Sequence, residues 1–304
     1  MKNTLFFGNG LNRISKQSVS WDSLLDRLKG DQDFSSKTLP YTMVYERIFI
    51  QGPVVEGAGI DELQVKCQIA DALKAQGGNF IYDKVVSMDF DNYLTTNYDY
   101  AIEEALIGKP DRKSTEDVYS VRRKRTYETD VGVKTLWNVH GQVEHPKSIM
   151  LGMDHYCGAV GKIGSYIKGT YEHVSDGVIR PVASMREKLE SGVFCNTSWI
   201  DLFFSSNVHI VGFSLDFSEI DIWWLLNKRA RFAAELPVMN KIFFYTDRVE
   251  VCEKTELLSS FGVQVVVTSL KNDGFPEMYR RVIKKMERTM GASAVPPRPT
   301  EVAK

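Results

Sequence analysis

Val208-His209-Ile210-Val211-Gly212-Phe213, Lys241-Ile242-Phe243-Phe244-Tyr245-Thr246 and Val263-Gln264-Val265-Val266-Val267-Thr268 are three short apolar runs, the last rich in β-branched residues. Each reads as a buried strand. Glu219 to Glu235 and Val249 to Phe261 lie between them with helical spacing, and Phe275 to Met290 follows as an amphipathic helix. Strands that are apolar throughout must bury both faces. Alternating with helices, they predict a parallel sheet covered on both sides.

Working outward, Leu5-Phe6-Phe7 is a further apolar strand, ended by Gly8-Asn9-Gly10. Ser20 to Leu28 opens with a capping residue and continues at helical spacing, and Asp61 to Gln76 does the same before stopping at Gly77-Gly78. Tyr93-Leu94-Thr95-Thr96 reads as a strand running into Asn97-Tyr98-Asp99, with a helix from Tyr100 to Leu106. Thr135 to Val139 is another strand, ending at His140-Gly141. Asp117 to Tyr127 is charged and alternating, as in an exposed hairpin. The glycine-rich run Gly158 to Gly169 reads either as a mobile loop, even a lid, or as a loosely made helix. The expected fold is α/β, a Rossmann-like parallel sheet with helices on both faces and an inserted, mainly helical subdomain. One domain spans 1–290, with helical insertions at roughly 19–88 and 153–197, and the proline-bearing stretch 291–304 reads as a disordered tail.

Composition narrows the function. Of 304 residues, 38 are Lys or Arg and 39 are Asp or Glu, for a net charge of −1. That balance gives no footprint for nucleic acid or an anionic membrane. The local exception, Arg122-Arg123-Lys124-Arg125, reads as a solvated loop face. Cys67, Cys157, Cys195 and Cys252 are scattered without a C-x-x-C pair, so neither a structural zinc nor any other metal is expected. Dispersed thiols, an N-terminus unlike a signal peptide and the lack of a membrane-spanning apolar run together predict a cytoplasmic protein.

In an open parallel sheet, ligands bind at the carboxyl ends of the strands. Four such ends carry glycine or unusual polar residues: Gly8-Asn9-Gly10, Thr96-Asn97-Tyr98-Asp99, Asn138-Val139-His140-Gly141 and Gly212-Phe213-Ser214. Gly8 and Gly10 suit a tight turn and close approach to a pyrophosphate, as in G-x-G-x-x-G, although Arg13 holds the third glycine position. Arg13 offers a fork of donors to a phosphate instead. Each end also has a structural reading: a plain strand-to-helix turn, an Asx turn or helix cap at Asn97 and Asp99, a satisfied histidine at His140. Their recurrence on one sheet edge is what points to a ligand site.

Phe7-Gly8-Asn9-Gly10, Thr95-Thr96-Asn97-Tyr98-Asp99, Val139-His140-Gly141 and Gly212-Phe213-Ser214-Leu215 resemble, in order, the successive NAD-binding motifs of sirtuins. Three longer phrases are similar to a zinc-less bacterial sirtuin-like branch that includes anti-phage defence NADases such as the Thoeris NADase. They are Phe7 to Arg13 with Ser20-Trp21 downstream, Trp137 to Gly141, and Leu151-Gly152-Met153-Asp154-His155-Tyr156. The resemblance implies NAD as substrate. It implies Asn97 and His140 as catalytic residues, with Asn97 orienting ribose or water and His140 acting as general base. Gly8, Asn9, Gly10, Arg13, Asp99, Gly212 and Ser214 would bind the dinucleotide.

The chain also departs from the deacylating sirtuins. No cysteine shows their paired spacing, Asn9 stands where G-A-G is usual, and their acyl-lysine channel has no match. These departures favour attack of water on NAD, hence an NAD glycohydrolase releasing nicotinamide and ADP-ribose as a defence effector. The alternatives are a zinc-less ADP-ribosyltransferase or deacylase, and a non-catalytic module that binds NAD or ADP-ribose. By the same resemblance, a separate sensor or regulatory protein, or self-assembly into a homo-oligomer, would control activity. Thr246 and Asp247 read as a strand-to-helix cap, His155 as lining the site or exposed, and Trp223-Trp224-Leu225-Leu226 as core packing or an oligomer surface.

Overall fold

The computed structural model describes residues 1–36, 38–52, 61–109, 119–247 and 252–293. The apolar runs become strands β1 (Asn3–Phe7), β2 (Asn92–Thr95), β3 (Lys124–Thr129), β4 (Gly132–Asn138), β5 (Glu172–Ser175), β6 (Val178–Pro181), β7 (Asn207–Val211), β8 (Ile242–Thr246) and β9 (Val263–Val267). Seven of them form one sheet in the order β3-β4-β2-β1-β7-β8-β9, and β5 and β6 form a separate hairpin. Every neighbour in the large sheet is parallel except the β3–β4 pair. The α/β, Rossmann-like expectation therefore holds. After β1 the chain builds outward through β2 and β4, then returns to the other side of β1 with β7. Such a reversal opens a crevice at the strand ends.

The helices are α1 (Trp21–Lys29), α2 (Tyr41–Ile50), α3 (Glu62–Leu73), α4 (Phe80–Val86), α5 (Ala101–Ile107), α6 (Met153–Lys168), α7 (Met185–Ser191), α8 (Leu202–Ser205), α9 (Ile220–Ala233), α10 (Glu253–Ser260) and α11 (Gly274–Ser293). Their starts follow from local chemistry. Ser20 accepts from Ser23 N, Asp61 from Gln64 N and Asn79 from Ile81 N, each satisfying a helix-end donor.

Successive strand residues face opposite sides of the sheet and build two cores. Phe6, Leu94, Trp137, Ile210 and Phe244 join α9 residues Ile222, Leu225 and Leu226 on one side. Leu5, Phe7, Tyr93, Leu136 and Phe243 meet α4 and α11 on the other. A third core, centred on Leu24, Tyr45, Ile48 and Ile69, holds α1, α2 and α3 against the loops that follow β2 and β4. Each fully buried chain of this size stabilises the fold by roughly 1.5–3 kcal/mol.

Several expectations are corrected. The hairpin is Lys124–Asn138, not Asp117 to Tyr127, of which 117 and 118 lie outside the described residues. The basic run is only in part a solvated face: Lys124 is exposed, but Arg123 is 2% and Arg125 8% exposed. Arg125 forks onto both carboxylate oxygens of Glu103 (2.7 and 2.9 Å) and also donates to Asn138 Oδ1 and Gln142 Oε1. Of the two readings of the run holding Gly158, Gly161 and Gly164, the helix holds: it is part of the sixteen-residue α6. There Gly158 makes room for the Tyr119 ring and Gly164 for Trp224. Leu225 and Leu226 are core residues, while Trp223 and Trp224 pack on that core from its edge. The helix foreseen from Val249 begins at Glu253, and 249–251 lie outside the described residues, as does the expected tail from 294.

Candidate functional site

Register brings the four motif ends into line. Phe7 pairs with Thr95 and with Val211, and Thr95 pairs with Asn138, so one row crosses β4-β2-β1-β7 at the strand ends. The ladder runs one residue further: Thr96 N donates to Phe7 O (3.3 Å), Val139 N to Thr95 O (2.9 Å) and Gly8 N to Val211 O (3.3 Å). Asn9, Asn97, His140 and Phe213 are the first residues past this row.

At the β1/β7 switch point the backbones touch. Gly10 N donates to Gly212 O at 2.7 Å, and a Cβ on Gly10 would fall 2.6–2.8 Å from Gly212 backbone atoms. Gly212 has φ +61° and meets Leu11 N in the same way at 2.9 Å. These glycines thus allow two loops to pack, and the Gly8 and Gly10 N–H groups are committed within the protein. Beside them opens a cleft of about 470 Å³ lined by Asn9, Gly10, Arg13, Gly212 and Ser214 from the expected set. Its volume falls within the range of small-molecule sites.

Asn97 and Asp99 do not line this cleft. They border a small adjoining cavity that shares Asn9, Val19, Ser20 and Trp21 with it. Asp99 belongs to a buried polar chain. Its Oδ1 accepts from Ala101 N (3.0 Å), at the start of α5, and its Oδ2 from Asn12 Nδ2 (2.8 Å). Asn12 Nδ2 also donates to Asn9 Oδ1 (2.9 Å), and Tyr82 donates to Asn12 Oδ1 (2.6 Å). Burial pushes the Asp99 carboxyl up to about 6, against these donors, which lower it. Asn97 is 6% exposed, and its Nδ2 makes no hydrogen bond of good geometry, only a looser contact with the Tyr82 hydroxyl.

His140 is 2% exposed and lines neither space. Its Nε2 lies 2.8 Å from Asp221 Oδ2, and its Nδ1 lies 3.7 Å from Glu219 Oε2. Burial alone would lower its pKa, but Asp221 and then Glu219 outweigh that and raise it. Glu219 does line the cleft, beside Tyr156, whose hydroxyl donates to Glu219 Oε2 at 3.1 Å. Burial pushes the Glu219 carboxyl up to about 7, with His140 opposing and Asp221 reinforcing the shift. His140, Glu219 and Asp221 bring nitrogen and oxygen atoms within 4.8 Å of one another. Of the three, only the His140–Asp221 pair stands within hydrogen-bond distance, and the 3.7 Å between His140 and Glu219 is an ion-pair contact.

Thr246 and Asp247 also line the cleft. They were expected to cap the next helix, but Cys252 holds that position. Phe275 and Tyr279 of α11 form the wall there, and the Arg13 guanidinium lies 5.1 Å from the Phe275 ring centre. His155 is a structural residue: its Nδ1 accepts from Leu151 N and Gly152 N at the start of α6, and its Nε2 lies 2.7 Å from Glu62. All four cysteines are free thiols.

Sequence reasoning missed Glu219, Asp221, Tyr156 and Asn12. Glu219 and Asp221 open a helix, where acidic residues are ordinary, so their aim at His140 is a tertiary fact. Asn12 carried the one available signal, a polar residue in an otherwise close-packed turn. No curated protein matches the chain as a relative. Residues 91–224 match the family model described as SIR2-like domain, so over the stretch that carries Asn97, His140, Tyr156, Glu219 and Asp221 this chain is similar to the SIR2-like family.

Proposed function

We propose that the chain binds NAD at the β1/β7 switch point and hydrolyses its nicotinamide–ribose bond, releasing nicotinamide and ADP-ribose. The observation that carries this reading is Asn97. A buried amide without an acceptor costs roughly 1–3 kcal/mol, and such a cost persists where a ligand supplies the missing partner. Asn97 Nδ2 is the poorly satisfied group, with only a loose contact to the Tyr82 hydroxyl, and it borders a cavity that shares a wall with the large cleft. A ribose hydroxyl or the attacking water supplies the acceptor.

The remaining residues divide the dinucleotide between them. Arg13 and Ser214 face the pyrophosphate, because the Gly8 and Gly10 N–H groups are already bonded. Asn9, fixed through Val19 O (2.7 Å) and Asn12, sets the width of the passage between cleft and cavity. Asp99 holds that arrangement from below. Resemblance to the defence NADases supports an NAD-depleting role against phage. Dispersed cysteines and the unmatched acyl-lysine channel support water as acceptor.

The test is nicotinamide release from NAD by the purified protein and by Asn97→Ala, with NAD binding measured in parallel. Release that falls at least ~100-fold in the variant, with the fold intact, is the expected result. Saturable NAD or ADP-ribose binding without release by the wild type would replace this reading with that of a binding module.

A further inference from the structure

We infer that Glu219, rather than His140, takes the proton from the attacking water, and that Asp221 and His140 position and polarise it. This inference rests on the NAD-cleaving reading. Hydrolysis breaks the bond between the ribose carbon and the nicotinamide nitrogen. The bonding pair goes to the nicotinamide ring and neutralises it. A water oxygen bonds to the ribose carbon, and one water proton must be accepted. Passed on to solvent, that proton completes the balance: NAD and water give nicotinamide, ADP-ribose and one proton.

Geometry selects the acceptor. A general base must come within hydrogen-bond reach of the proton it removes. The His140 side chain is 2% exposed, its Nε2 is committed to Asp221, and its Nδ1 faces Glu219. Glu219 is 14% exposed and lies on the cleft wall. It is fixed from two sides. Its backbone N donates to Asp216 O (3.0 Å), in a turn that Asp216 Oδ1 closes by accepting from Ser218 N and Oγ. Its carboxylate accepts from Tyr156, whose ring lies edge-on to His140 with centroids 5.1 Å apart.

The charges around Glu219 are those of a proton acceptor working near neutrality. Asp221 and Asp216 lie on its own loop and helix, and His140 on the β4 loop. Tyr156 comes from α6, Tyr98 from the β2 loop, and Arg123 acts through His140. Burial dominates and lifts the carboxyl to about 7, where a base still exists in its ionised form and yet binds a proton well. Asp221 and Glu219 favour the protonated form of His140 against its burial. Its charge helps return Glu219 to the ionised state after each turnover.

The experiment follows nicotinamide release against pH for the wild type, Glu219→Gln and Tyr156→Phe, with NAD binding and thermal melting recorded for each. The wild type is expected to show a kcat/KM that rises with pH through one ionisation near neutrality. Glu219→Gln should lose at least ~100-fold in kcat/KM and the ionisation with it, while still binding NAD. Tyr156→Phe should move the ionisation to higher pH, because its hydroxyl donates to the carboxylate and favours the ionised form. Tyr156→Phe keeps the test decisive if Glu219→Gln melts early. A Glu219→Gln protein with wild-type rate and pH profile overturns the inference and leaves the NAD-cleaving reading intact. So does an unmoved profile in Tyr156→Phe. Absence of release by the wild type at every pH overturns both.

Discussion

His140 Nε2 and Asp221 Oδ2 stand 2.8 Å apart, linking the end of β4 to the first turn of α9 across 81 residues of chain. Neither side chain is more than 2% exposed. A carboxylate this deep is tolerated only with a partner, and a histidine facing it holds its proton to higher pH. Because the folded-state pKa is raised, the stability this pair adds is complete below the unfolded value, about 6.5. It is lost as pH rises through the folded value. Asp221→Asn keeps the shape and removes the charge. Its unfolding free energy should be lower at pH 6 and should lack the decline above it. Urea unfolding across about pH 5 to 9, together with an NMR titration of the imidazole, reads both effects. An unchanged His140 titration in the variant would remove Asp221 from this role.

Arg125 joins three parts of the site's support. It bridges Glu103 of α5, Asn138 at the end of β4 and Gln142 beyond His140. The Glu103 side chain is 0% exposed, so Arg125→Ala leaves a buried carboxylate without this cation, with the Tyr127 hydroxyl still donating to it. Loss of one partner from such a pair costs about 3–5 kcal/mol. Arg125→Met paired with Glu103→Gln removes both charges and should recover much of that loss. If the single and double variants melt alike, the bridge is not what holds this end of the sheet.

Gly10 and Gly161 make opposite predictions from the same substitution. A methyl on Gly10 falls 2.6 Å from Gly212 O, so Gly10→Ala must part the β1 and β7 loops. Overpacking of this kind costs roughly 1–3 kcal/mol, and the cleft widens with it. Gly161 lies inside α6 with nothing near its Cβ position. Gly161→Ala should therefore stabilise by about 0.5–1 kcal/mol through helix propensity alone. Thermal melts of the two variants decide the matter, and a neutral Gly10→Ala would mean that the loops are slack.

The sheet was legible because β1, β7 and β8 are largely apolar and helices such as α1 and α3 open with capping residues, both local signals. Gly8, Gly10 and Gly212 were legible as strand-end turns, although the physical reason for them differs from the one expected. These glycines make room for one another's backbone before any ligand arrives. The basic run at Arg122 misled because Arg125 is paired with Glu103, 22 residues before it, and Arg123 donates to the Asn138 carbonyl at the end of β4. No window of sequence contains both partners. Glu219 and Asp221 stayed hidden for the same reason. Asn97 and His140 were singled out as candidates, but their burial was not foreseen, since a strand end shows neither what covers it nor which neighbour opens to solvent.

His209 gives the last prediction, and its sign is opposite to that of His140. It sits on β7, 0% exposed, stacked on Phe243 with centroids 4.9 Å apart and bonded through Nδ1 to Tyr245 at 3.0 Å. Its Nε2 has no partner. Burial pushes its pKa down from 6.5 to about 4. The unfolded chain therefore binds this proton more readily. Stability is full above about 6.5 and falls as pH drops toward 4, by about 3 kcal/mol at 1.36 kcal/mol per pKa unit. Asp99 and Glu219, whose pKa values are raised, act in the opposite direction and are common to wild type and variant. The difference between wild type and His209→Phe thus isolates the histidine. Phenylalanine keeps the stacking, and Tyr245 retains its bond to Thr289 (2.8 Å). Urea midpoints for the two proteins should lie closer at pH 7 than at pH 4.5, where the variant gains. A gap that does not widen on acidification would show that His209 stays neutral for another reason, or accepts its proton without unfolding the sheet.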